Sequence, residues 1–121
     1  MIVGACVVEL HIEGAQSLKA KRGVIRSIVR RVRNEFNLAV SEIGGQDTWQ
    51  YAALGLAAAG MDAATVRSVL ERAGQFIEDL HLARLLSADI EVVDLPHDEQ
   101  PWQPEAPGES DDEEDEDEDG S

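Results

Sequence analysis

Seven basic residues lie within fifteen consecutive positions, from 19 to 33, and no acidic residue interrupts them. If this segment is helical, the intervals of three and four residues between Lys19, Arg22, Arg26, Arg30 and Arg33 place these five on one face. A row of positive charge of this kind is typical of phosphate binding. The other interpretation is a solvated helix face on which lysine and arginine stems cover apolar surface. Six residues are candidates for nucleic-acid binding: Lys19, Lys21, Arg22, Arg26, Arg30 and Arg33.

A second group of polar and aromatic residues surrounds a predicted turn. Gly44 and Gly45 indicate a tight connection between two strands, because glycine adopts positive φ without strain. The four residues that we interpret as a binding patch are Gln46, Asp47, Trp49 and Gln50. The alternative is that the Asp47 carboxylate closes the turn by accepting backbone hydrogen bonds.

The sequence contains no arrangement that is typical of catalysis or metal binding. His11, His81 and His97 are far apart, and Cys6 is the sole cysteine, so it can form neither an internal disulfide nor a cysteine-based zinc site. There is no glycine-rich phosphate-binding loop. We therefore expect a protein that is not an enzyme and that needs no cofactor or metal.

Hydrophobic periodicity predicts six elements in the order β-α-β-β-α-β. The strands are expected at 2–12, 38–43, 48–58 and 88–95, and the helices at 18–35 and 63–82. Right-handed crossovers and adjacent hairpins favour one α+β architecture for this order, the ferredoxin-like sandwich. It has a four-stranded antiparallel sheet with both helices on one face, and its first and third strands are central.

The alternation of the first strand separates a core face from an open face. Three core residues, Cys6, Val8 and Leu10, are expected to pack against the helices at Ile25, Ile28, Val32, Val69 and Phe76. On the uncovered face, Val3, Ala5 and Val7 form an apolar strip that indicates a weak homodimer. The alternative is a scatter of small apolar residues, which is normal on monomers. Residues 4–11 contain no aromatic residue on which RNA bases could stack.

Charge is divided unevenly along the chain. The formal net charge is −15, but residues 1–95 carry ten basic and twelve acidic residues, whereas the other thirteen acidic residues follow Pro96. We therefore expect one domain at 1–95 and a disordered acidic tail at 96–121. The tail either keeps the protein in solution or competes for the basic helix. No segment has the composition of a signal peptide or is long enough to span a bilayer, so we expect a cytoplasmic protein without membrane contact.

Four segments together resemble a known family. They are 17–22 (SLKAKR), 35–42 (EFNLAVSE), 46–50 (QDTWQ) and 53–55 (ALG), preceded by Val3-Gly4. In this combination and spacing, residues 1–95 closely resemble the YlxP-like family of small bacterial proteins, a domain of unknown function. The chain departs from the family pattern at Glu13, where proline is usual, at Ala39 and Ser41, where serine and alanine are usual, and in its acidic tail.

The resemblance implies a ferredoxin-like fold, in agreement with the element order. It also implies a link to translation, because genes of the family often lie beside those of translation initiation factor two and the ribosome-binding factor. No catalytic residue of the family is available to carry over.

Three hypotheses follow. The first is a non-enzymatic accessory protein that binds RNA or the ribosome through the basic helix. The second is a protein–protein interaction module that dimerises through its open sheet face. The third is a small-molecule-binding regulatory domain, a role that this fold often serves.

Overall fold

The computed structural model describes residues 1–97, 102 and 104. The expected acidic tail falls almost entirely on the other positions and so lies outside the described residues. The elements are β1 (Ile2–His11), α1 (Leu18–Glu35), β2 (Ala39–Gly44), β3 (Tyr51–Gly60), α2 (Ala63–Asp79) and β4 (Arg84–Asp94). This order confirms the predicted ferredoxin-like α+β fold.

The four strands form one antiparallel sheet in the order β2-β3-β1-β4. β1 and β3 are therefore central, as the sequence predicted, and β2 and β4 are the edges. α1 lies over the β2 side of the sheet, whereas α2 contacts β1, β3 and β4. The basic helix consequently runs beside an edge strand.

The core lies between the helices and one face of the sheet. Cys6, Val8 and Leu10 are buried there, together with Ile25, Ile28 and Val32 of α1, as predicted. On α2 the central contacts are made by Val66, Leu70, Ala73 and Ile77. Val69 and Phe76, which were predicted in the core, are only half-buried. Phe76 lies at the margin, where its ring meets that of Phe36 edge-to-face with centroids 5.4 Å apart.

The contact between α2 and β1 depends on a glycine. A Cβ atom at Gly4 would lie 2.6 Å from Cγ1 of Val66 and 2.7 Å from Cδ1 of Leu70. These separations are far below van der Waals contact, so only glycine lets the helix pack this closely on the central strand.

The last elements differ from their predicted bounds. α2 ends at Asp79 and β4 begins at Arg84, whereas the sequence predicted an end at 82 and a start at 88. His81 has φ of 56°, a left-handed conformation of the kind that ends helices. The apolar residues that follow it therefore enter the sheet and do not extend the helix.

Candidate functional site

α1 is an amphipathic helix whose arginines face away from the core. Its N-cap is Ser17, whose Oγ accepts a hydrogen bond of 3.0 Å from the Ala20 N–H. Its C-cap is Phe36, whose N–H donates to the Val32 carbonyl. Since the buried apolar residues occupy one stripe, the arginines between them project to the surface.

Four exposed arginines, Arg22, Arg26, Arg30 and Arg33, line an open groove between α1 and β2. We call it the arginine groove. Its volume is about 510 Å³, and its other lining residues are Ile25, Val29, Asn34 and Glu42. Along a helix, residues four positions apart are separated by about 6 Å, so the first three arginines form an evenly spaced row. The groove thus combines four positive charges, one carboxylate and an apolar floor.

Arg33 also links the two elements that form the groove, α1 and β2. Its Nη2 donates a hydrogen bond of 2.8 Å to the Val40 carbonyl on β2. This bond joins the end of the helix to the edge strand. The positive charge therefore remains in the groove while one of its donors is engaged.

Lys21 lies apart from the other candidate residues, and its predicted role in nucleic-acid binding is wrong. Its side chain is 1% exposed, and Nζ donates to the carbonyls of Gly45 and, at 2.8 Å, of Thr48. The ammonium also lies 3.6 Å from Oε2 of Glu42. A surface phosphate cannot reach this group, so Lys21 positions the turn between β2 and β3.

The other two basic residues of α1, Lys19 and Arg31, lie outside the groove lining. Lys19 is exposed on the first turn of the helix. Arg31 donates from Nε to the Ser27 hydroxyl at 3.1 Å. The structure therefore brings together four of the six candidate nucleic-acid-binding residues.

The residues of the predicted patch at the turn are exposed, but they do not form a single site. Gln46, Asp47, Trp49 and Gln50 are all exposed, Trp49 by 52%. The turn is closed by the Thr48 N–H, which donates to the Gly45 carbonyl at 3.1 Å, and Gly45 has φ of +83°. Gln50 Nε2 donates to the Ala15 carbonyl at 3.3 Å and so braces the loop before α1. The acceptor that closes the turn is therefore the Gly45 carbonyl, and not the Asp47 carboxylate that the alternative interpretation of the sequence suggested.

Sequence reasoning missed a polar cluster on the open face of the sheet. Glu9 accepts hydrogen bonds from the Tyr51 hydroxyl at 2.7 Å and from the Ser87 hydroxyl at 2.9 Å. These bonds lower the pKa of the Glu9 carboxyl and raise that of the Tyr51 phenol. The three residues come from three different strands, so only the pairing register reveals that they meet.

The rest of the open face is apolar with an acidic margin. Val7, Ile43 and Val93 are 41%, 52% and 55% exposed, with small residues between them. On β4, Asp89 pairs with Val7 and Glu91 pairs with Ala5. This face therefore differs in charge from the arginine groove.

Three further features concern metal binding, the Cys6 thiol and membrane insertion. Within the described part of the chain, no group of three His, Cys, Asp or Glu side chains is placed to hold a metal ion. Burial, with the nearby charge of Asp89 as a smaller cause, raises the pKa of the Cys6 thiol. No helix among the described residues is long and apolar enough to cross a membrane.

Comparison with known proteins identifies the family but not an activity. The family model described as "Protein of unknown function (DUF503)" matches residues 3–90. The chain is 42% identical over 77 residues to the "Uncharacterized protein YlxP" of Bacillus subtilis (strain 168), and the match covers 64% of this chain and 84% of that protein. Among solved structures, the de novo designed protein Foldit4 is 15% identical with a TM-score of 0.44, over 78% of this chain and 98% of that one. Since the family model matches well over half of the sequence, the chain belongs to this family, the YlxP-like proteins of unknown function.

Proposed function

We propose that this protein is a non-enzymatic accessory protein that binds RNA, free or within the ribosome, through the arginine groove. The observation that carries the proposal is the row of Arg22, Arg26, Arg30 and Arg33 along one groove. Arginine is well suited to phosphate because its planar guanidinium donates two parallel hydrogen bonds to an oxyanion.

The apolar floor favours RNA with unpaired bases. Half-buried Val29 lies between the arginines, where a base could rest on its apolar surface while the phosphates face the guanidinium groups. Protein recognition of single-stranded RNA commonly combines a basic track with surfaces on which bases stack, arginine planes included. The link to translation that the family resemblance implies is consistent with this ligand class.

The acidic net charge of the chain does not exclude this ligand. Screening limits the reach of an exposed charge to about 8 Å at physiological ionic strength. Most of the acidic residues follow Pro96, and Glu42, the carboxylate in the groove, is paired with Lys21. Among residues 1–95, the local potential in the groove is therefore set mainly by its arginines.

Fluorescence anisotropy with a labelled single-stranded RNA tests the proposal. Neutralising four phosphates predicts a slope of log Kd against log salt of about 3 for single strands. Replacing both Arg26 and Arg30 by glutamine should weaken binding on the order of tenfold or more at low salt and reduce the slope by about 1.4.

The double variant with Arg67 and Arg84 replaced by glutamine is the matched control, since it also removes two exposed positive charges, neither of which lines the groove. Equal losses in the control and the groove variants would indicate a nonspecific charge effect and contradict the proposal. Co-sedimentation with ribosomes on a gradient, using the same variants, then separates ribosome binding from binding to free RNA.

A second candidate function is self-association through the open sheet face. The exposed Val7, Ile43 and Val93 favour it, because apolar strips on an uncovered sheet often mark interfaces.

A further inference from the structure

The chain leaves the folded domain at the same end of the sheet at which the arginine groove opens. The last strand ends at Asp94, and Leu95 exchanges two hydrogen bonds of 2.8 Å with Met1. In an antiparallel sheet, this end of β4 is also the end at which β2 begins. α1 finishes immediately before β2, so Arg30 and Arg33 lie nearest to this end.

The distance from Leu95 to the groove is short compared with the chain that follows. Three strand spacings of roughly 4.8 Å separate β4 from β2, which is about 14 Å. The helix layer lies roughly 10 Å above the sheet, so the direct distance is about 17 Å. The ten residues from Leu95 to Glu105 can span up to about 33 Å when extended. The acidic residues from 105 onward can therefore reach the groove.

We propose that residues 105–119 of the same chain occupy the arginine groove and compete there with RNA. The competition rests on the proposed function, but the intramolecular contact does not. Nine acidic residues without interruption, 111–119, span about 30 Å when extended, and the row from Arg22 to Arg33 is about 17 Å long. An acidic segment of this length can meet all four arginines at once.

Other surfaces of the described domain offer the acidic segment less. The open face carries Glu9, Asp89 and Glu91, which would repel it, and Arg84, which pairs with His11, lies at the end of β4 far from Leu95. On α2, Arg67 and Arg72 are interspersed with Glu71 and Glu78. In the groove, the sole lining carboxylate, Glu42, is paired with Lys21 at the end far from Leu95.

Because the acidic segment belongs to the same chain, its local concentration near the groove is high, and weak contacts with the arginines are then sufficient for binding. A linker that can span two sites gives an effective concentration of about 1 mM. If the free segment binds with a Kd on the order of 0.1 mM, the tethered one weakens a competing ligand about tenfold. Because the arginines are exposed, salt should screen the contact and reduce the competition.

The first test measures RNA binding by the 121-residue chain with all nine acidic residues 111–119 replaced by their amides. We expect about tenfold tighter binding to single-stranded RNA at about 50 mM salt, with a gain that shrinks as salt rises. A synthetic peptide of residues 96–121, added to this variant at millimolar concentration, should restore the weaker binding. If the peptide has no effect, the gain comes from reduced long-range repulsion and the proposal is wrong.

The second test needs no RNA. NMR signals of the arginine Nε–Hε groups are compared between the wild type and the amide variant at low salt. Shifts at Arg26, Arg30 and Arg33, with Arg67 unchanged and with no dependence on protein concentration, support the intramolecular contact even if RNA does not bind. Unchanged groove arginines, or shifts that vanish on dilution, overturn it.

The N-terminus provides a further check. Because Met1 adjoins Leu95, an acidic run placed before Met1 starts at the same end of the sheet. Attached to the amide variant, it should again shift the groove arginines. Failure to do so would contradict a contact set by proximity and charge.

Discussion

Lys21 shows how one residue changes its role once its surroundings are known. By spacing it belongs to a basic helix, yet its ammonium is buried under the turn between β2 and β3. Two backbone carbonyls and the Glu42 carboxylate surround it. A buried charge is tolerated only when its donors are satisfied, as they are here.

Replacing Lys21 by methionine should destabilise the fold by about 2–4 kcal/mol, because it leaves the carbonyls of Gly45 and Thr48 without their donor. Urea unfolding measures the change in free energy. Lys19→Met, on the exposed first turn, is the matched control and should change stability by less than about 0.5 kcal/mol. Equal stability of the Lys21 variant and wild type would rule out this role.

Glu9 predicts a specific pH dependence. Hydrogen bonds from Tyr51 and Ser87 lower its pKa in the folded state below the ordinary value of 4.5. A lowered folded-state pKa contributes stability above the unfolded-state pKa, and this contribution is lost as pH falls from about 4.5 through the folded value. Tyr51→Phe removes the larger cause, so the pKa of Glu9 should rise toward 4.5.

An NMR titration of the Glu9 carboxyl carbon between pH 2 and 6 measures this shift directly. Unfolding measured over the same range should show that the variant loses less stability on acidification than the wild type does. An unchanged Glu9 pKa in Tyr51→Phe would mean that Ser87 alone holds the carboxylate.

At the scale of elements, local patterns were sufficient for most of the fold. The alternation of β1 and the apolar stripe of α1 are repeated over ten or more residues, so their type and buried face are readable from the sequence. The junction of α2 and β4 was not readable from the sequence, because its apolar residues suit either a helix or a strand. His81, a non-glycine residue with positive φ, sets the boundary. Histidine is enriched at positive φ, but most histidines do not adopt it, so the residue type alone did not locate the boundary.

The candidate site was likewise predictable only in part. The arginine row was predictable because its spacing is a property of one helix. Neither the burial of Lys21 nor the Glu9 cluster was predictable, because each depends on which residues different strands and turns bring together. Glu9 lies directly opposite Ser87 only in the observed register of β1 and β4.

At the scale of the whole molecule, two surfaces of opposite character lie on different sides. The arginine groove beside α1 is basic, whereas the open sheet face is apolar with Glu9, Asp89 and Glu91 along it. With a net charge of −15, two copies of the chain repel each other at low salt. Salt should therefore weaken RNA binding but strengthen association through the open face.

Substituting Val7 by lysine tests that association. Val7 is 41% exposed at the middle of the open face, so the domain should stay folded while a two-fold interface would receive two charges. We expect sedimentation equilibrium to show a weak wild-type dimer that tightens with salt, and a Kd raised about tenfold or more in the variant. Ser68→Lys on the exposed side of α2 makes the same change in net charge and should leave the dimer intact. A wild type that stays monomeric at several hundred micromolar and high salt would leave the open face without this role, since apolar contact is then too weak to act even when repulsion is screened.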